Sequence, residues 1–556
     1  MVIDNLMLAF AEIGNVHTLL LMTIGVGAGL LAGSIPGFTI AMAIVLTLPF
    51  TFSMPPEQGL AIMISVLVGG LSGGLMSGIL TGIPGTPSSV ATTFDGFPMA
   101  RKGEPGFALG LGVWSSFCGG MISAVMLVLF APQLARIGLE FHPWDFFMLV
   151  MFALTVTASL AGKSLIKGLI AGALGLLVRT VGEDLAVGMA RFDFGIDSLL
   201  GGFDFIAVLI GLFAFSQLLS DVRDPVAARR ALTDQGNVRV RIEHRRAIRE
   251  LAKRWRVVVR SAFIGVFVGI LPGAGGSIAN ILAYDQAKKA SKDPDSFGTG
   301  NPEGIIAPEA SNNAVEGGAL TPLMALGIPG DVTAAIMLGA LLIHDVVPSP
   351  SFISEEPVLA YSMFIAFFGA NFIMLGLQSG MLRVFVLVTR IRMYMLAAVI
   401  LGFASIGVFA LNNVTFDIWT LFWFGIVGFL MRQFGFPLAP MILGVVLGNI
   451  AEINLARALA ISDDLTLFVT RPWAQFFLII AVFSAFFPWF QKARAEGRRW
   501  TDFYLPIMLI AVTLPLVMMG GIVRPALSVV LLGLGLTGLY RAWKNQAATK
   551  AEIIDP

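Results

Sequence analysis

The stretch Asn301–Pro350 places carboxylates, amides and hydroxyls inside an otherwise apolar sequence. It carries Glu303, Glu309, Asn312, Asn313, Glu316, Thr321, Asp331 and Thr333. At helical spacing Glu309, Asn312, Asn313 and Glu316 fall on one face, at i, i+3, i+4 and i+7. Hard cations prefer such carboxylate and amide oxygens. Pro308 reads as first-turn proline of a helix, with Glu309 placed to meet the positive end of its dipole. Gly327-Ile328-Pro329-Gly330 then breaks the helix, and Asp331 and Thr333 are the expected caps of the next one.

The elements that must position these groups lie in a membrane. The chain has 556 residues, of which 56% are hydrophobic and 13% charged, with a mean hydropathy of +0.85. Apolar runs long enough to cross a bilayer recur from end to end, which reads as an all-α polytopic membrane protein. The single cysteine, Cys118, sits in an apolar run, leaves no intramolecular disulfide framework and reads as a small hydrophobe. Asp4 and Glu12 stand where a cleavable signal peptide would carry positive charge, so none is expected.

Four Gly/Pro breaks interrupt the runs, and they come in pairs. Gly33-Ser34-Ile35-Pro36-Gly37 matches Gly269-Ile270-Leu271-Pro272-Gly273, with Pro36 and Pro272 236 residues apart. Gly82-Ile83-Pro84-Gly85 matches Gly327-Ile328-Pro329-Gly330, with Pro84 and Pro329 245 residues apart. Interrupted hydrophobic segments at corresponding places in two halves point to a transporter's binding site. A kink in a packed helix is the plainer reading of any one break alone.

Between the halves, residues 221–260 hold twelve Lys or Arg against five Asp or Glu. The positive-inside rule assigns them to the cytoplasm. The division expected is a first transmembrane half over 1–220, the basic linker 221–260, a second half over 261–500, and a C-terminal transmembrane pair with tail over 501–556. Arg254, Arg256 and Arg260 precede the Pro272-Gly273 break, and Lys288, Lys289 and Lys292 follow it. A re-entrant hairpin would keep both clusters on one side, whereas a single bent span would not. Re-entrant hairpins are therefore expected at both Gly-x-x-Pro-Gly motifs, with a bent span as the alternative. Glu452 and Asn454 lie in a later apolar run, where function and helix packing are both open readings.

These motifs resemble the TctA family, the large membrane subunit of tripartite tricarboxylate transporters. The resemblance spans nearly the whole chain. It rests on the four breaks, on T-T-F-D-G-F-P-M-A-R-K-G from Thr92, on A-P-E-A-S-N-N-A around Glu309, on G-G-A-L-T-P-L-M-A-L-G-I-P-G, and on L-G-N-I-A-E-x-N-L near Asn449. It implies a secondary transporter in a bacterial inner membrane, working with a small membrane subunit and a periplasmic solute-binding protein. Its cargo would be a di- or tricarboxylate and its coupling ion sodium, with no other cofactor. Two departures stand near the breaks. Asp345 follows His344 where the family usually has glycine, and Thr81-Gly82 stands where it often has asparagine, so citrate is not assumed.

A carboxylate cargo needs donors without a trap too deep to release it, which backbone amides at half-helix ends and neutral side chains supply. The expected substrate contacts are Pro36, Gly37, Thr39, Pro84, Gly85, Thr86, Ser88 and Ser89 from the first half. From the second come Gly273, Ser277, Asn280, Pro329, Gly330 and Thr333. Glu309, Asn312 and Asn313 are the expected cation ligands. The two halves are expected to be inverted pseudo-repeats, and an elevator-type motion would follow if each half splits into scaffold and mobile hairpin. A passive anion channel is the nearer rival. A membrane-embedded enzyme is the more distant one, since His17, His142, His244 and His344 form no metal-spaced pair and no catalytic motif is present.

Overall fold

Apolar runs whose backbone groups must be satisfied within the segment become helices, and the runs read from the sequence do so here. The structure, a computed structural model, describes residues 2–35, 38–160, 164–184, 188–222, 241–388, 393–521 and 523–554. Among the described residues, ten helices are long and apolar enough to cross a membrane, and the sheet structure is one two-stranded ladder pairing Gly182–Glu183 with Ala190–Arg191.

The chain packs as two compact units, and each half of the sequence contributes to both. The larger unit comprises Met1–Leu139 and Asp197–Phe434. Its first part holds α1 (Val2–Ile13), α2 (Val16–Ser34), α3 (Ile40–Thr51), α4 (Pro56–Thr81), α5 (Val90–Arg101) and α6 (Pro105–Gly138). The smaller unit, Glu140–Ile196 with Gly435–Pro556, begins with α7 (Pro143–Leu160) and α8 (Leu165–Arg179). The larger unit resumes with α9 (Phe205–Ile210), α10 (His244–Lys253), α11 (Trp255–Ile270), α12 (Gly275–Ala290), α13 (Glu303–Leu326), α14 (Val332–Ile343), α15 (Pro357–Val388), α16 (Met393–Asn412) and α17 (Thr415–Gln433). The smaller unit ends with α18 (Leu438–Ile461), α19 (Pro472–Ala495), α20 (Thr501–Met518) and α21 (Val523–Ile554).

Within the larger unit the sequence offsets are also geometric offsets. Helix α4 ends on Gly82 at φ 75°, whose N–H donates to the Gly78 carbonyl at 3.1 Å. Helix α13 ends on Gly327 at φ 72°, donating to Leu323 at 2.9 Å. Both ends need the left-handed backbone that glycine adopts without strain. The Gly85 N–H reaches back to Gly74 at 3.3 Å, and the Gly330 N–H to Ala319 at 3.3 Å. Ahead of the other breaks, Ile35 donates to Ala32 at 3.2 Å and Leu271 to Val268 at 3.1 Å. Every pair is separated by 236 or 245 residues.

Glycine also sets how closely the helices approach. A Cβ added at Gly33 would lie 2.0 Å from the Gly70 carbonyl oxygen, and one at Gly269 would lie 2.1 Å from that of Val315. Helix α2 therefore lies backbone to backbone on α4, and α11 on α13. Each central helix packs in addition on the long helix of the other half, α4 on α15 and α13 on α6.

The second Gly-x-x-Pro-Gly motif turns a hairpin. Helices α11 and α12 pack on each other and on α13, and Arg254, just before α11, pairs with Glu303 at the start of α13 (3.4 Å). The beginning of α11 and the end of α12 line one cavity, so the chain enters and leaves on the same side. Pro36 and Gly37, where the first hairpin is expected to turn, lie outside the described residues, as do residues 223–240 of the basic linker.

In the smaller unit α8 and α18 meet through Gly175 and Gly444, which face the Met441 and Gly172 carbonyls. Asp145, fully buried, accepts from the His142 and Ala474 amides (2.9 and 3.1 Å) and from Arg471 (3.3 Å). Glu452 pairs with Arg191, which also holds Asp184 at 3.0 Å, and Asn454 donates to the Ile450 carbonyl at 2.8 Å. Glu452 and Asn454 thus have structural partners.

Candidate functional site

Helix α13 is the wall of the site, and every residue from Gly304 to Leu326 is buried. It starts five residues earlier than Pro308 implied, at Glu303, because its N-terminus is fixed from a distance. Asp95 Oδ1 on α5 accepts the amides of Gly298, Gly300 and Asn301 (2.9, 2.7 and 2.7 Å), and its Oδ2 accepts from Tyr284 (2.9 Å). Asn301 Oδ1 then caps Glu303 (2.7 Å). Pro308 sits inside the helix, where it removes one backbone donor.

The polar face of α13 gathers partners from both halves. Thr92 Oγ1 on α5 donates to Glu309 Oε1 (2.6 Å), and Ser116 Oγ on α6 donates to Oε2 (2.8 Å). Ser72 Oγ on α4 donates to Asn313 Oδ1 (2.8 Å), and Asn313 Nδ2 to the Glu309 carbonyl (3.3 Å). Asn312 Nδ2 donates to the Leu71 carbonyl (3.2 Å). Next to it, Asn280 Nδ2 on α12 donates to the Ser88 carbonyl, and the Thr86 and Ser88 hydroxyls share a bond of 3.1 Å. Gly276 lets these close in, since a Cβ there would meet Ser88 and the Asn312 oxygen.

Two side-chain oxygens in this cluster, Asn280 Oδ1 and Asn312 Oδ1, are buried without a hydrogen-bond partner. Buried acceptors lacking donors are costly and need an explanation. A monovalent or divalent hard cation fits that donor set, because carbonyl-type oxygens replace its hydration shell. Among the described residues no group of three or more His, Cys, Asp or Glu forms a metal centre.

The expected residues divide accordingly. Thr86, Ser88, Asn280, Asn312, Asn313 and Glu309 come together. Pro84 and Gly85 shape the break that holds Thr86, and Ser89 Oγ turns back onto the Thr86 carbonyl (2.9 Å). Gly273 donates to the Gly330 carbonyl (2.8 Å), joining the second hairpin turn to Pro329 and Gly330. Thr39 caps α3, accepting from the Met42 amide (3.1 Å), and makes no hydrogen bond into the cluster. Asp331 caps α14 through the Ala334 amide (2.8 Å), with Thr333 buried beside it. Ser277 is exposed and makes no side-chain hydrogen bond to the cluster. Pro36 and Gly37 lie outside the described residues.

Sequence reasoning missed Ser72, Thr92 and Ser116 as partners, because nothing near them in the chain marks which hydroxyl faces α13. It also passed over Glu316 and Asp331 as neighbouring buried carboxyls. Both are buried, Glu316 Oε2 has no hydrogen-bond partner, and the two carboxyls lie within electrostatic reach of each other.

Fold and site define a polytopic helical membrane protein with a buried polar cluster at paired helix breaks, an arrangement of secondary transporters. The chain belongs to the tripartite tricarboxylate transporter TctA family, whose match covers residues 19–443. It is similar to an uncharacterized 52.8 kDa protein in the TAR-I ttuC' 3' region of Agrobacterium vitis, 33% identical over 481 residues, which is 86% of this chain and 95% of the relative. A second Agrobacterium vitis protein, uncharacterized in the TAR-II ttuC' 3' region, is 35% identical over 236 residues, 42% of this chain and 98% of that relative. No solved structure matches. The chain is thus a membrane transporter component of tricarboxylate transport.

Proposed function

We propose that this chain is the large membrane subunit of a binding-protein-dependent system that imports a di- or tricarboxylate with a sodium gradient. A small membrane subunit and a periplasmic solute-binding protein complete it, in a bacterial inner membrane. The observation that carries this reading is the buried cluster of Glu309, Asn312, Asn313, Asn280, Thr86 and Ser88, built from both halves beside two helix breaks. Its acceptor-rich side, with Asn280 Oδ1 and Asn312 Oδ1 unpaired, is where a sodium ion would be held. Hydroxyls and freed amides at the breaks supply donors for carboxylate oxygens without a fixed positive charge. In this reading the halves are inverted pseudo-repeats, and alternating access moves the hairpin-bearing elements, an elevator-type step.

The test is uptake of a panel of radiolabelled carboxylates into proteoliposomes with both partner subunits present, with and without an inward sodium gradient. Saturable, sodium-dependent uptake, lost in Asn313→Ala and in Pro329→Ala, is the expected result. Gradient-independent flux would make the chain a passive channel. Uptake intact in both variants would remove the cluster from the transport path.

A further inference from the structure

A cavity of about 870 Å³ lies at the base of the second hairpin, lined by the start of α11, the end of α12 and the loop leading into α13. Its ionisable lining is one-sided. Lys102, Lys253, Arg254, Arg256, Arg260 and Lys292 line it, against only Asp293 and Glu303. Some of that charge is already neutralised. Arg254 pairs with Glu250 and with Glu303 (3.4 Å), Lys253 pairs with Glu250 (3.2 Å), and Lys102 donates to the Thr299 carbonyl (2.6 Å).

Arg256, Arg260 and Lys292 have no acidic partner among the described residues, and Arg260 Nε is buried without a hydrogen-bond acceptor. A buried guanidinium N–H with no acceptor is unfavourable, and a phosphate group offers the fork of oxygens that fits it. The lining of the cavity therefore suits an anion.

The same face of α11 says which anion. Arg256, Arg260, Phe263 and Phe267 follow one another at i, i+4, i+7 and i+11, a single stripe along the helix. Phe267 is 66% exposed and Phe263 36%, and Trp255 at the foot of the stripe is 57% exposed with the Arg256 guanidinium 5.6 Å from its ring. A free anion would use only the cationic foot. A phospholipid would use all of it, the headgroup at the arginines and the acyl chains along the phenylalanines, with tryptophan at the interfacial level. Helix α10 leads into this foot, packing Ala247 and Leu251 against α6 and leaving Arg245 and Arg249 exposed.

We propose that this cavity is a binding site for the headgroup of an anionic phospholipid, on the face that the positive-inside rule assigns to the cytoplasm. Its walls come from α11, α12, the start of α13 and Lys102 after α5, so a bound headgroup fastens the hairpin base to the central helix. The site stands independently of the cargo and coupling-ion readings.

The experiment follows thermal unfolding of the purified full chain in a neutral detergent. Phosphatidylglycerol, phosphatidylcholine, glycerol phosphate and inorganic phosphate are added in separate arms. Phosphatidylglycerol is expected to raise the midpoint by several degrees while the other three leave it in place. The shift should fall by more than half in Arg256→Gln/Arg260→Gln and persist in Arg245→Gln/Arg249→Gln, whose arginines do not line the cavity. Equal shifts from glycerol phosphate or inorganic phosphate would make the site a free-anion pocket and overturn the lipid assignment. Loss of the shift in the Arg245/Arg249 variant would reduce the effect to general surface charge and overturn the site. If the Arg256/Arg260 variant does not fold, Lys292→Gln examined by native mass spectrometry decides. Reduced retention of phosphatidylglycerol supports the site, and unchanged retention overturns it.

Discussion

Gly330 lies directly against the Gly269 carbonyl, so that a Cβ on Gly330 would stand 2.1 Å from that oxygen. The first half repeats the relationship, with a Cβ on Gly85 falling 2.2 Å from the Gly33 carbonyl. Here two broken segments meet without side chains, and the obstacle to any side chain is backbone that cannot swing aside. Gly330→Ala and Gly85→Ala are each expected to cost about 3 kcal/mol. Gly27→Ala, where a Cβ meets nothing within 4 Å, should be neutral or stabilising by about 0.5–1 kcal/mol. Unfolding midpoints of the three variants in detergent check the contrast.

Glu309 separates charge from hydrogen bonding. Its two oxygens each accept a hydroxyl, from Thr92 and Ser116, and both hydroxyls can rotate to suit an amide. Glu309→Gln should therefore fold with stability within about 1 kcal/mol of the parent. Half-saturating sodium in uptake should rise at least about tenfold, the factor that 1.4 kcal/mol of binding carries. An unchanged sodium dependence would remove Glu309 from the ion site.

Asp95 is a test of long-range capping. One carboxylate oxygen holds the Gly298, Gly300 and Asn301 amides. Asp95→Ala strips four donors of their acceptor, the three amides and the Tyr284 hydroxyl, and should cost about 3 kcal/mol, whereas Asp95→Asn keeps an acceptor and should cost about 1 kcal/mol. Hydrogen exchange at residues 298–304 should rise in the alanine variant before exchange elsewhere does.

Asp345 has φ 59° at the end of α14, in the left-handed region. The family's usual glycine suits that backbone. Asp345→Gly should be tolerated within about 0.5 kcal/mol, because relief of strain and loss of unfolded-state restriction offset each other. Asp345→Val should cost about 2 kcal/mol, since a β-branched residue resists this conformation. Denaturation of the two variants side by side is the check.

Asp145 anchors α7 to α19 through Arg471 and the Ala474 amide. Removing one member of a buried pair strands the other, so Asp145→Ala should cost about 3–5 kcal/mol. Protein that does fold should keep its parental sodium and substrate half-saturation, because none of these groups belongs to the cluster on α13.

The sequence was most informative where glycine and proline carry the structure. The breaks at Pro84 and Pro329 match in sequence because glycine is what suits the left-handed helix ends at Gly82 and Gly327 and the close backbone approach at Gly85 and Gly330, and the runs between them became the helices expected. Pro308 misled because the true start of α13 is set by Asp95, roughly two hundred residues away in the chain. Ser72, Thr92 and Ser116 were hidden for a related reason. A hydroxyl in an apolar run reads the same whether it bonds its own helix, as Ser65 does to Ala61, or a neighbouring one, as Ser72 does to Asn313. Ser277 follows a break as a donor should, yet its side chain is exposed and not buried with the cluster.

The duplicated backbone is not a duplicated chemistry. Where α13 carries Glu309, Asn312, Asn313 and Glu316, the matching positions of α4 are Ile64, Leu67, Val68 and Leu71, and Asp331 corresponds to Thr86. The matching face of α4 is thus an apolar copy of the scaffold that shows which apolar residues the geometry accepts, even though Ser72 and the Leu71 carbonyl of α4 serve the cluster on α13. Transplanting residues from α4 into α13, one position at a time, would strip the working helix back to its plain twin without asking the fold for anything it has not already done once.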